Sequence, residues 1–150
     1  MVKSLRQEVI KKFDRIFSIR IRLRDSYRKD GKRWIKCPLC GSIVPRKKAE
    51  NMHFVKRYIL KRRFSEQNCH AGCHRCNVVL NGNYEVYKKF MIEQYWEETV
   101  EWMLNDKTPS HISTAQLEEE LWRYQLQLKM ELRTTPEDDS LIPTDKPRWS

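Results

Sequence analysis

Asn68-Cys69-His70-Ala71-Gly72-Cys73-His74-Arg75-Cys76-Asn77 holds two kinds of chemistry in one short run. Its Cys73-x-x-Cys76 repeats the spacing of Cys37-x-x-Cys40 upstream, and each pair sets two thiols on a tight turn or helix start. Four thiolates so placed close a tetrahedron around one structural zinc ion. A closed site of this kind contributes folding free energy directly, on the order of ~10 kcal/mol as apparent binding energy in small zinc peptides. The competing reading is four buried cysteines or a redox pair, and two spaced pairs in a strongly basic chain favour zinc. Cys69 lies outside both pairs and reads as a small buried side chain. His70 and His74 read as neighbours of the site or phosphate-facing groups rather than as substitutes for a thiolate.

Outward from that run, the charge is lopsided. Residues 1–90 carry 24 Lys/Arg against 7 Asp/Glu, while residues 91–150 carry 6 against 13. A front part that basic reads as a surface for a polyanion, with the phosphate backbone of DNA favoured over an anionic membrane or plain solvated charge. No apolar run reaches membrane-spanning length and the N-terminus has no apolar signal core, so a cytoplasmic protein is expected. Five cysteines in that compartment argue for metal or reactivity rather than disulfides.

Leu5, Val9, Phe13, Ile16 and Phe17 recur at helical spacing among Lys and Arg, so a basic amphipathic helix is expected over residues 1–18. Ile19-Arg20-Ile21-Arg22-Leu23-Arg24 alternates and reads as a half-buried strand, although Ile16, Ile19 and Leu23 also fit a continued helix. Lys29-Asp30-Gly31-Lys32 supplies a turn and Trp34-Ile35-Lys36 a return strand into Cys37. Residues 41–52 read as short extended or looped chain, and residues 53–57 as a strand end opening into a basic loop. A helix is expected from about Gly72, interrupted at Asn81-Gly82-Asn83, then an aromatic-rich helical stretch over 84–104. Ser113-x-x-Gln116 matches a capping box, and the helix behind it carries Leu117, Leu121, Tyr124, Leu128 and Leu132 on one stripe. That stripe packs either on a second copy of the chain or back on the 84–104 helix. Pro136, Pro143, Pro147 and an acidic run make 134–150 a disordered tail. The expected organisation is thus a helix at 1–18, a zinc-bound core at 19–90, a helical region at 91–133 and the tail.

Hydrolysing a phosphodiester needs a water made nucleophilic and a cation to offset charge on the phosphate. His53, Glu50, Asn68 and Asn77 offer a base and oxygen ligands around the cysteines. His53, then Asn68, then Cys73-x-x-Cys76-Asn77 resembles the HNH (ββα-metal, His-Me finger) nuclease motif. With Ile21-Arg22-Leu23-Arg24-Asp25, Cys37-x-x-Cys40-Gly41, His53-Phe54-x-x-Arg57, Arg63-Phe64-x-Glu66-x-Asn68 and Gly82-Asn83-x-x-x-Tyr87, the chain looks like the phage NinG (Rap) recombination proteins over roughly residues 15–105. It is also similar to endonuclease VII-type Holliday-junction resolvases.

The resemblance implies an α+β fold, a zinc-stapled ββα-metal nuclease core between a basic N-terminal helix and C-terminal helices, in a phage-infected or prophage-carrying host. It implies a structure-specific endonuclease that cuts branched intermediates such as Holliday junctions and D-loops. His53 would be the general base, Asn68 would orient it by a hydrogen bond, and Asn77 would be a ligand of a catalytic Mg²⁺ or Mn²⁺. Many HNH enzymes carry an aspartate just before the base, and here that position is Met52. The acidic-x-x-His spacing puts Glu50 in its place, because alternate residues of an extended strand point the same way. Singly, each of these residues has a duller reading, packed histidine or turn-capping asparagine; their joint spacing favours function.

Lys56, Arg57, Lys61, Arg62 and Arg63, with Arg20, Arg22 and Arg24, are the expected phosphate contacts. Nothing resembles a base-reading helix, so recognition by shape and backbone is expected, with two paired incisions supplied by a homodimer. The alternatives are an HNH nicking enzyme for ordinary duplex DNA and a non-catalytic, zinc-stabilised DNA-binding protein.

Overall fold

The computed structural model describes residues 2–134. The tail expected from 134 lies, beyond Thr134 itself, outside the described residues. The contacts group residues up to Arg20 with those from His111, and Ile21–Ser110 as a second unit. The first helix, α1 (Leu5–Arg24), contributes to both. The expected boundaries at 18 and 90 fall inside helices.

The strand expected at 19–24 is instead the end of α1. Ile19 and Leu23 lie one turn apart on one face while Ile21 lies on the other, and all three are buried. A helix buried on two faces mimics the alternation of a strand, and short apolar runs cannot separate the two by periodicity.

In the first unit, α5 (Thr114–Thr134) packs beside the first part of α1. The Tyr124 ring lies 5.4 Å from Phe13 and 5.5 Å from Phe17, and Leu117, Leu121, Leu128 and Leu132 are buried. Arg6 meets Thr114 near both helix starts and Arg20 pairs with Glu131 near both ends, so the helices run parallel. The apolar stripe was expected on a second copy or on helix 84–104. Its partner is the apolar face of α1. The capping box forms as expected, Ser113 N–H to Gln116 Oε1 at 2.8 Å and Gln116 N–H to Ser113 Oγ at 3.1 Å.

The second unit is built on two small antiparallel sheets. The first joins β1 (Tyr27–Lys29), β2 (Lys32–Lys36) and β3 (Ile43–Pro45) in that order, with Trp34 opposite Tyr27 and Pro45. Asp30 (φ 53°) and Gly31 (φ 71°) form the expected turn, and positive φ at both central residues matches the right-handed twist of a two-residue hairpin. A 3-10 turn at Arg46–Lys48 leads into the second sheet, β4 (Glu50–His53) paired with β5 (Cys69–Gly72). Their register sets Glu50 opposite Gly72 and His53 opposite Cys69. The short α2 (Leu60–Arg63) lies in the connection between them.

The helix expected from about Gly72 starts later, because Gly72 still belongs to β5, and its body is a π-helical turn over Arg75–Val79. A Cβ on Gly72 would overlap the Met52 thioether and lie 3.3 Å from Cys37 Sγ, so glycine lets β5 press against β4 beside the cysteines. The single 84–104 stretch divides into α3 (Tyr84–Tyr95) and α4 (Glu97–Asn105) at Trp96, whose φ of 72° breaks the helix. Cys37, Met52, Phe54, Cys73, Cys76, Tyr87, Met91, Val100 and Met103 form one buried cluster, so the cysteines are part of the core.

His70 is buried under the hairpin. The Tyr87 hydroxyl donates to the Met52 carbonyl at 3.0 Å, so it accepts from His70 Nδ1 (3.0 Å), and Nε2 is left to accept from Tyr95 (2.8 Å). Burial pushes His70 down to about 4, with Arg24 adding to the fall and Asp25 opposing it. Below about pH 6.5 the unfolded chain takes up a proton that the fold refuses. The contribution is therefore complete above pH 6.5 and is lost as pH falls towards 4, roughly 3 kcal/mol in all. In urea unfolding, His70→Phe should lose correspondingly less stability than the native chain across that window, and identical slopes would place a hydrated His70 in the fold.

Candidate functional site

Cys37 and Cys40 sit on the turn between β2 and β3, closed by Cys37 N–H to Ser42 O (2.8 Å) and Gly41 N–H to Cys37 O (2.9 Å). Cys73 follows β5 and Cys76 lies in the π-helical turn. The four Sγ atoms all lie within 4.8 Å of one another, and Cys40 and Cys73 are 3.6 Å apart. A tetrahedral zinc with Zn–S of about 2.3 Å sets its sulfurs about 3.8 Å apart, so the cluster has the right size. Amide donors face the sulfurs, Cys76 N–H to Cys73 Sγ at 3.4 Å and Asn83 Nδ2 to Cys76 Sγ at 3.7 Å. The Ser42 hydroxyl and N–H hold Cys40 down to about 6, whereas burial pushes Cys76 up to about 12. Four thiolates at this spacing repel one another, and a dication is what allows all of them to ionise. The residues fit a structural zinc. Cys69 is buried on β5, outside the cluster, as expected.

Across the same hairpin, β4 and the π-helical turn bring Glu50, His74 and Asn77 together. Glu50 Oε2 accepts from His74 Nδ1 at 2.6 Å, and Glu50 Oε1 accepts from Asn77 Nδ2 at 3.0 Å. Glu50 and Asn77 were expected to share a site, and their side chains touch. His74 was expected near the site or facing phosphate, and its bond to Glu50 went unforeseen. The signal available in the sequence was its place between Cys73 and Cys76, three residues before Asn77. Met52 is buried and packs on Gly72, so its thioether belongs to the core.

His53 closes β4. Its Nε2 lies 2.9 Å from the Arg63 carbonyl, which only accepts, so the proton sits on Nε2 and Nδ1 carries the lone pair in the neutral ring. Asn68 was expected to bond His53 directly, and it does not. Fully buried, it accepts from Val55 N–H (2.7 Å) and donates to the carbonyls of Val55 (3.0 Å) and Arg62 (3.1 Å). A side-chain amide matches these backbone groups as another peptide would, so Asn68 clamps the 55–62 loop, and the next carbonyl along, Arg63, holds His53. Asn68→Asp replaces two donors by a buried anion facing two carbonyls. It should destabilise the fold by about 3 kcal/mol or more. Denaturant unfolding measures it, and a loss below about 1 kcal/mol would mean the amide is not clamping the loop.

Most of the basic side chains expected to meet phosphate have partners within the chain. Arg24 binds Asp25 (2.6 Å) and donates to the carbonyls of Glu66 and Cys69, both at 2.8 Å. Lys61 and the buried Arg62 both reach Asp106 (2.7 and 3.1 Å), and Arg62 lies 4.3 Å over the Trp102 ring. Lys61 and Thr108 hold the Asp106 carboxyl well below the usual carboxylate range. Arg20 pairs with Glu131, and Arg22 is half-buried, with burial and neighbouring Arg46 lowering its pKa. Arg63 is half-buried beside Phe64. These side chains serve the fold. Lys56 and Arg57 are exposed, on the loop that leaves His53. Asp25, whose carboxylate accepts from Ala71 N–H at 2.8 Å, was missed as an anchor of β5. It follows Arg24 directly, and the pairing of neighbours in sequence was the available clue.

A family model described as the bacteriophage lambda NinG protein matches residues 1–134. The chain belongs to the NinG family. No curated protein and no solved structure matches it. The NinG match spans both cysteine pairs, the β4–β5 hairpin, His53, and the Glu50–His74–Asn77 cluster. Among the described residues of this NinG-family chain, no helix is long and apolar enough to cross a membrane.

Proposed function

We propose that this chain is a metal-dependent endonuclease of the HNH type, which hydrolyses phosphodiesters in branched recombination intermediates such as Holliday junctions and D-loops. The observation that carries the reading is the 2.9 Å contact of His53 Nε2 with the Arg63 carbonyl. A backbone carbonyl fixes the proton on Nε2, so Nδ1 is the nitrogen that takes a proton from water. The order of elements supports it: β4 and its partner β5, joined through the short α2, are followed by a helical turn beginning between Cys73 and Cys76, a ββα arrangement.

Glu50 and Asn77 would hold a Mg²⁺ or Mn²⁺, the amide turning its oxygen inward. When bound, that ion supplies positive charge against the scissile phosphate. His53 takes the proton, and Asn68, through the loop it clamps, keeps Arg63 O aimed at the ring. Lys56 and Arg57 extend the grip to flanking phosphates, so binding should weaken steeply with salt. Paired incisions would come from a homodimer. Met52 favours a second reading, a zinc-stabilised DNA-binding protein without catalysis, because a buried thioether stands where many HNH enzymes carry an aspartate.

Cleavage of a labelled four-way junction beside a matched linear duplex, in Mg²⁺ or Mn²⁺, separates the readings. Faster cutting of the junction is expected. Equal rates would leave a nicking enzyme, and junction binding without any cut would leave the binding protein.

A further inference from the structure

We infer that His74 is a third ligand of the divalent-metal site at Glu50 and Asn77, and that its imidazole biases the site towards Mn²⁺ over Mg²⁺. The inference rests on the proposal that Glu50 and Asn77 hold the metal. A Glu–His contact at the surface is by itself an ordinary weak ion pair. Here the carboxylate is met at both oxygens, by His74 Nδ1 at 2.6 Å and by the Asn77 amide at 3.0 Å. Three side chains of metal-ligating type therefore converge on one point, from a strand and from the turn that also carries Cys76. Neighbouring ligand atoms on an ion with bonds of about 2.1 Å stand about 3.0 Å apart, the distance of the Asn77 contact, and His74 would draw back by about 0.4 Å to admit the ion. The zinc cluster fixes Cys73 and Cys76 on either side of His74, which holds the imidazole near Glu50 without help from the core; its side chain is 64% exposed.

A nitrogen ligand changes the choice of ion. Mg²⁺ prefers oxygen and keeps its waters, whereas imidazole suits the first-row transition ions. A site of carboxylate and amide alone would favour neither so strongly. His74 acts here as a specificity-determining ligand.

The test uses the zinc-loaded full chain, with zinc content checked in every variant. Mn²⁺ binding is read from loss of the aqueous Mn²⁺ signal in electron paramagnetic resonance, and Mg²⁺ binding from its competition. Loss of a hydrogen-bonded neighbour of a ligand already costs about 10–100-fold in metal affinity, so His74→Ala should weaken Mn²⁺ at least about tenfold. Its Mg²⁺ affinity should fall much less, and the nitrogen coupling in pulsed spectra of bound Mn²⁺ should disappear. Glu50→Gln should weaken both ions. If Glu50→Gln loses metal while His74→Ala binds Mn²⁺ as the native chain does, His74 is not a ligand and the site survives without it. An equal loss of both ions in His74→Ala would remove the selectivity. If the native chain binds no Mn²⁺, or neither variant alters binding, the metal site itself is wrong and the inference falls with it.

Discussion

Cys73→Ser, or chelation of zinc at neutral pH, is expected to unfold the Ile21–Ser110 part of the chain. Cys37, Cys73 and Cys76 are buried among Met52, Phe54, Tyr87, Met91, Val100 and Met103, so the metal site and the apolar core are one object. The sheets around it are short, three to five residues per strand, and two small hairpins bury little on their own. A tetrathiolate zinc contributes on the order of ~10 kcal/mol of apparent binding energy, comparable to the whole net stability of a typical domain, about 5–15 kcal/mol. Its loss also leaves sulfurs with opposed tendencies in contact, Cys40 acidic beside Ser42 and Cys76 resisting ionisation by burial. Far-UV circular dichroism and metal analysis of the full chain check this. About one zinc per chain and loss of sheet and α3–α4 signal on chelation are expected. A chelated chain that melts at the unchanged temperature would show that the core stands alone.

His53→Ala is expected to lower junction cleavage by about 10²–10⁴-fold, the usual worth of a positioned general base. The fold should survive, because the ring is only half-buried and the loop whose Arg63 carbonyl it meets is held by Asn68. Junction affinity should also survive, because Lys56 and Arg57 are untouched. Cleavage rate, filter-binding affinity and thermal melting on the same variant separate these effects. A variant that cuts at the native rate would remove His53 as the base, and one that melts early would make it a structural residue.

Much of the site could be read from spacing because spacing dictates it. Two Cys-x-x-Cys turns specify their own geometry, and Asp30-Gly31 specifies a hairpin, so both stand where expected. Glu50 and Asn77 meet because an extended β4 and a turn starting at Cys73 leave them little choice. Residues whose role depends on long-range packing were harder. Arg20, Arg24, Lys61 and Arg62 read as a phosphate surface since charge runs carry no record of their partners; Glu131 and Asp106 lie far from them in sequence, and only Asp25 stands beside its partner Arg24. Asn68 was read as touching His53, whereas its amide satisfies backbone groups that no sequence pattern marks. The end of α1 mimics a strand in sequence because helical burial on two faces alternates too.

The central claim is most directly tested by incubating a zinc-loaded full chain with an end-labelled four-way junction in Mn²⁺, beside His53→Ala and Glu50→Gln. Incisions near the branch by the native chain, with neither variant cutting detectably over the same period, are predicted. Tight binding of the junction with no incision by the native chain, or a His53→Ala protein that cuts as fast, would contradict the account.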